Sequence, residues 1–150
     1  MSKKILRSIG AVAAGAGVGI VLSLGTDEVL HATGVFPPWG QAMPDALFGL
    51  ATAYRTVYSV AASYLTARLA PSRPMAHALT GGLLGLAACI AGAAATWDKG
   101  PEFGPKWYPL ALVALAIPCA WAGGRLFTAS EGARQRASSQ SSRRGEARSS

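Results

Sequence analysis

Residues 75–97 read MAHALTGGLLGLAACIAGAAATW, 23 consecutive positions without an aspartate, glutamate, lysine or arginine. At 1.5 Å per residue such a run is roughly 35 Å long as a helix, enough to cross a hydrocarbon core of about 30 Å. Both of its flanks are helix breakers. Upstream stands Ala70-Pro71-Ser72-Arg73-Pro74 and downstream Asp98-Lys99-Gly100-Pro101. Proline lacks an amide proton and restricts the residue before it, so the apolar run is bounded on both sides by chain that turns.

Three further stretches of about 20 residues carry at most one ionised side chain each, and they place helices at about 5–29, 45–69 and 107–127 beside the one at 75–97. Adjacent Pro37 and Pro38 mark the first loop, and Asp45 after Pro44 is well placed to start the second helix. Only 14 of the 150 residues are Lys or Arg and 7 are Asp or Glu, while 51% are hydrophobic. A soluble domain carries about a quarter charged residues. The expected fold is therefore all-α: a polytopic membrane protein built as a bundle of four antiparallel transmembrane helices over residues 1–129. Beyond it, residues 130–150 are rich in Arg and Ser and hold no large apolar side chain, so a disordered cytoplasmic tail is expected there.

Orientation follows from where the charges lie. With both termini on the cytoplasmic side, the inner flanks sum to +9 and the outer flanks to −3, and Arg55 accounts for the rest of the net +7. Trp39, Trp97, Trp107 and Tyr108 all fall at the outer boundary, the headgroup depth that amphipathic rings favour. This argues for a multi-pass protein of a bacterial inner membrane, N-terminus and C-terminus cytoplasmic. A cleaved signal peptide is the competing reading of the first segment, but the apolar run from Ile9 to Gly25 exceeds the usual 7–15 residues of such a peptide.

Arg55 is the strongest functional pointer. It lies ten residues into the second helix, about 15 Å from its outer end, and a guanidinium cannot escape burial by losing its proton. It needs a partner, and Asp27 and Glu28 are the candidates if the first helix continues to about His31. Tyr54 and Tyr58 add hydroxyls and ring faces beside it. At 100° per residue, Thr52, Thr56, Ser59, Ser63 and Thr66 form one polar stripe with Arg55 at its edge. The stripe should face the protein interior, where its hydroxyls can bond across helices or to backbone carbonyls, either around a buried ion pair or along a hydrated, ligand-accessible cavity.

Gly15 with Gly19, and Gly81 with Gly85, are small residues four apart that let helix backbones approach closely, and helix packing is their expected role. No nucleophile arrangement, nucleotide loop or carboxylate pair stands out, and the two cysteines and two histidines have no metal-ligand spacing. No catalytic residue, metal or cofactor is therefore expected. The expected partner is the lipid bilayer, with a second copy or another membrane protein against the packing faces and anionic lipid against the tail; nucleic acid is not expected.

The patterns Thr26-Asp27, Leu30-His31, Pro37-Pro38-Trp39-Gly40, Tyr54-Arg55, Gly104-Pro105-Lys106-Trp107-Tyr108-Pro109 and Pro118-Cys119-Ala120-Trp121 resemble a group of small four-helix bacterial membrane proteins to which no activity is attached. The resemblance spans residues 5–125. It implies the topology and no function. The function expected from the residues is a non-enzymatic helix-packing or accessory membrane component, with a small transporter or channel binding an anion or carboxylate through Arg55 as the alternative.

Overall fold

The computed structural model describes residues 2–149 and is all-helical, with no strand among the described residues. Helix α1 covers Lys3–Ala32, α2 Asp45–Leu69, α3 Pro74–Thr96 and α4 Trp107–Ser149, with one 3-10 turn at Pro101–Phe103 before α4. Three segments are long and apolar enough to cross a membrane: α1, α3, and the stretch Pro101–Ser142 that holds most of α4. The fourth expected span, α2, has no equally apolar window, because Arg55, the terminal Asp45 and Arg68 and five stripe hydroxyls interrupt it.

That more polar helix occupies the most enclosed position. α2 packs against α1, α3 and α4, while α1 and α4 share no interface of comparable extent. The order of contacts is regular. Positions 26 and 27 of α1 meet 54, 55 and 58 of α2, and Gly15 meets Ala62 and Thr66. On α4, Tyr108 meets Phe48, and Phe127 meets Tyr64, with ring centroids 5.1 and 5.7 Å apart. On α3, Gly82 meets Ala120, and Ala78 meets Gly124.

The core is built of small residues. Ala11, Ala51, Ala67, Ala78, Ala93 and Ala120 are buried, and Phe36 and Phe48 are the large side chains that join them. Attraction between such faces comes from backbone approach rather than from interdigitating large side chains. The expected Gly15 contact is present: a Cβ there would stand 2.7 Å from the carbonyl oxygen of Ala62. Gly19 abuts the Ala62 methyl at 3.2 Å, and Gly81 lies at ordinary contact distance from Thr66. Gly85 packs against nothing, since a Cβ there would meet no atom within 4 Å. Beside the close Gly82–Ala120 approach, two adjacent glycines bring α4 against both of its neighbours. Gly123 faces α2, where a Cβ would be 2.7 Å from the Ser63 Cβ and the Tyr64 nitrogen, and Gly124 faces Met75 and Ala78 of α3.

The first loop folds back on the end of α1. Gly34, at φ +75°, takes the left-handed conformation that commonly ends a helix, and the Phe36 amide then donates to the Leu30 carbonyl at 2.9 Å. This returns Pro37 and Trp39 to His31, whose Nδ1 is 2.6 Å from the Pro37 oxygen and whose ring stacks on Trp39 at 3.8 Å between centroids.

The segment expected as a disordered tail is helical as far as Ser149. α4 continues without a break through the segment from residue 130, exposed along most of its length. The residues there, chiefly Ala, Arg, Gln, Glu and Ser, include good helix formers, and the membrane-length segment supplies an already nucleated helix onto which they add. Glu131 and Arg134, 3.3 Å apart at positions i and i+3, add a weak local pair.

Candidate functional site

The site is built where α1 and α2 cross. Because α1 extends to Ala32, Asp27 still belongs to it and reaches the second helix at the level of Arg55. One carboxylate oxygen of Asp27 accepts from the Arg55 guanidinium Nη2 and the other accepts from the Tyr54 hydroxyl. Asp27 is only 7% exposed, and the side chain of Arg55 is 28% exposed. A carboxylate withdrawn this far from solvent is tolerable only when its charge is matched and its lone pairs are used, and here both oxygens have donors. The Tyr54 ring also lies beside the guanidinium, 5.9 Å from its centre.

The other candidate residues separate into two groups. Glu28 is exposed and joins no ion pair among the described residues, because it lies one residue, or about 100°, around α1 from Asp27. Tyr58 does not reach Arg55 but bonds the Thr26 hydroxyl at 2.9 Å, a second polar tie between the same helices. Of the bonds open to the hydroxyl stripe, the threonines make those to backbone carbonyls. Thr52, Thr56 and Thr66 donate to the carbonyl four residues back in their own helix, at 2.9, 2.7 and 3.0 Å, so they tie no neighbouring helix. Ser59 and Ser63 make no hydrogen bond among the described residues.

Thr56, Ser59, Ser63 and Thr66 instead floor a cleft of about 710 Å³ between α1 and α3, while Thr52 lies outside it. α1 contributes one wall from Val12 to Leu24 and α3 the other from Gly81 to Thr96; Tyr108, Leu112 and Cys119 of α4 close the floor. All four expected packing glycines, Gly15, Gly19, Gly81 and Gly85, line it. Arg55 is the one charged lining residue, and its Nε is buried without a hydrogen-bond partner.

A cavity along the hydroxyl stripe is one of the two alternatives the sequence leaves open, but its walls are not legible there. The signal available was Gly81, Gly85, Ala88 and Gly92 along one side of α3, opposite Gly15 and Gly19 of α1, but small residues on facing helices fit a closed interface as well as an open one. Cys89 and Cys119 also border the cleft, and no group of three or more His, Cys, Asp or Glu able to hold a metal occurs among the described residues. Comparison of the chain with protein-family models, with curated proteins and with solved structures returns no match.

Proposed function

We propose that the chain is a non-enzymatic integral component of a bacterial inner membrane, in which a central polar helix is held by apolar neighbours and its buried charge serves helix association. The observation that carries this reading is the pairing of Arg55 with Asp27, which uses the intramembrane charge to join α1 to α2. Membrane insertion draws support from the three apolar helices and from the large side chains left exposed on them outside the cleft, among them Ile9, Val21, Leu83 and Ile90. The contact registers support antiparallel sequence neighbours, and the charge asymmetry supports cytoplasmic termini. Reporter fusions after Ser72 and at the C-terminus should signal from the cytoplasm, and one at Gly100 from the opposite side; a reversed pattern refutes the orientation.

A transporter or channel for an anion or carboxylate takes its support from the position of Arg55 on the cleft. Against it, Asp27 already supplies the carboxylate. Single cysteines at positions 59 and 63, in a background with Cys89 and Cys119 replaced by alanine, separate the two readings. The association reading expects both to resist a charged, membrane-impermeant thiol reagent in the full-length protein in vesicles. Rapid labelling of both means a water-filled pathway and overturns it.

A further inference from the structure

We propose that the extension of α4 beyond Phe127 is a DNA-binding arm whose arginines contact the phosphates of a duplex. With the orientation proposed above, on which this inference rests, the arm stands in the cytoplasm. Phe127 is the last large apolar residue of the chain. From Ser130 to Ser149 the helix then carries five Arg and two Glu, with no Asp or Lys, a net charge of +3.

Charge is sorted around this helix. At 100° per residue, positions 134, 136, 143, 144 and 148 fall on one half of the circumference, together with the three alanines of the extension, while positions 131 and 146, both Glu, fall on the other. Arg134, Arg136 and Arg144 are exposed. A face of Arg and Ala sets guanidinium donors among methyl groups, so the helix can approach a row of phosphates closely and bond them bidentately.

The helix also separates this face from the bilayer. A disordered tail could fold back onto anionic headgroups, but a continuous helix carries Arg136 about 13 Å, Arg143 about 24 Å and Arg148 about 31 Å past Phe127 at 1.5 Å per residue. The surface potential of anionic lipid decays within a Debye length of about 8 Å. The outer arginines therefore lie beyond its pull.

Composition favours phosphate over a protein groove. Helices recognised in grooves dock through apolar anchors three and four residues apart, and this extension has no large apolar residue. Five Arg, six Ser and two Gln make up 13 of its 20 residues, and these are side chains that contact phosphate in protein–DNA interfaces. A continuous basic helix fits the B-form major groove, about 12 Å wide, whereas the major groove of A-form RNA is too narrow to admit it.

The test is fluorescence anisotropy of a labelled duplex of about 20 base pairs titrated with the full chain in phosphatidylcholine nanodiscs, between about 50 and 200 mM salt. Binding should saturate, with log affinity falling against log salt at a slope of about −4.5, as for five cations on phosphate. Changing all five arginines to glutamine, a good helix former, should weaken binding by about tenfold or more and leave the unfolding midpoint unchanged. Ala137→Pro keeps every charge but interrupts the helix, and should weaken binding by about threefold or more. Lys3→Gln with Lys4→Gln, cations of the same cytoplasmic flank, should leave it unchanged. Unaltered binding in the glutamine variant overturns the proposal, and so does unaltered binding in Ala137→Pro, because charge alone then suffices. Poly-glutamate competing as well as the duplex at equal charge overturns it in favour of an acidic protein. Tail arginines shielded from trypsin by phosphatidylglycerol in the disc, without DNA binding, overturn it in favour of a lipid surface. A nanodisc exposes both faces, so a reversed orientation in the reporter fusions leaves these readings intact, and failure of the arm is distinguishable from failure of the topology.

Discussion

Asp27→Leu should destabilise the protein more than any other single substitution at the α1 to α2 crossing. It removes the carboxylate that neutralises Arg55 and the acceptor of the Tyr54 hydroxyl while leaving the guanidinium in place. Removing one member of a buried pair costs about 3–5 kcal/mol, because the remaining charge is stranded rather than because the lost bond is strong. For a chain of this size that corresponds to a fall in the unfolding midpoint on the order of 10 °C, measured in detergent by loss of helical circular dichroism or by a thermal aggregation assay. Glu28→Leu, one position further on, removes an exposed carboxylate with no ion pair and should change the midpoint by no more than about 2 °C. If the two variants behave alike, the identity of the arginine's partner is wrong.

Gly123→Leu should produce the second large loss. An added Cβ would press on the Val60 carbonyl, the Tyr64 nitrogen and the Ser63 Cβ, and two of those three atoms belong to the backbone of α2. A flexible side chain can swing away from an intruding methyl, but helix backbone can yield only by moving the whole helix. Overpacking of this kind costs about 1–3 kcal/mol and sometimes more, and a leucine at a contact between backbones belongs at the upper end. Separation of α4 from α2 should appear as faster proteolysis between them and as a lower midpoint. Gly49→Leu, on an exposed part of α2 with nothing within 4 Å of the new Cβ, is the matched control and should be near neutral.

The helices and the charge pair were legible in the sequence for different reasons. Residues 75–97 announce a helix by length and by the prolines around them, and the observed α3 begins at Pro74 and ends at Thr96. Asp27 could be named as a partner of Arg55 because few acids lie within reach of a helix midpoint and the first apolar run could extend to His31. Choosing Asp27 over Glu28 needed the rotation of α1 about its axis, which packing sets. The threonines of the stripe illustrate a different limit. Their spacing gave their common face, but each had a backbone carbonyl four residues back within reach, and that local bond took Thr52, Thr56 and Thr66 out of any link between helices.

What the sequence leaves undecided is whether the space between helices is closed or open. Gly15 with Gly19 and Gly81 with Gly85 are two motifs of the same spacing, yet Gly15 is pressed against α2 while Gly85 faces open cleft. Only the relative placement of α1 and α3 separates these cases. Gly123 and Gly124 form no small-residue pair four apart with each other, because adjacent residues do not share a helix face. The structure uses that property, turning one toward α2 and the other toward α3. For the tail, composition without a buried face argues against independent folding, but not against the extension of a helix already begun at Trp107.

The most direct measurement is a double-mutant cycle on the ion pair, with unfolding followed in the same detergent for the parent, Asp27→Asn, Arg55→Gln and the double variant. If Arg55 is there to be neutralised by Asp27, each single change is costly and the double variant recovers most of the loss, giving a coupling of at least about 2 kcal/mol. Additive effects, with the double variant as unstable as the sum of the singles, would contradict the central place given to this pair.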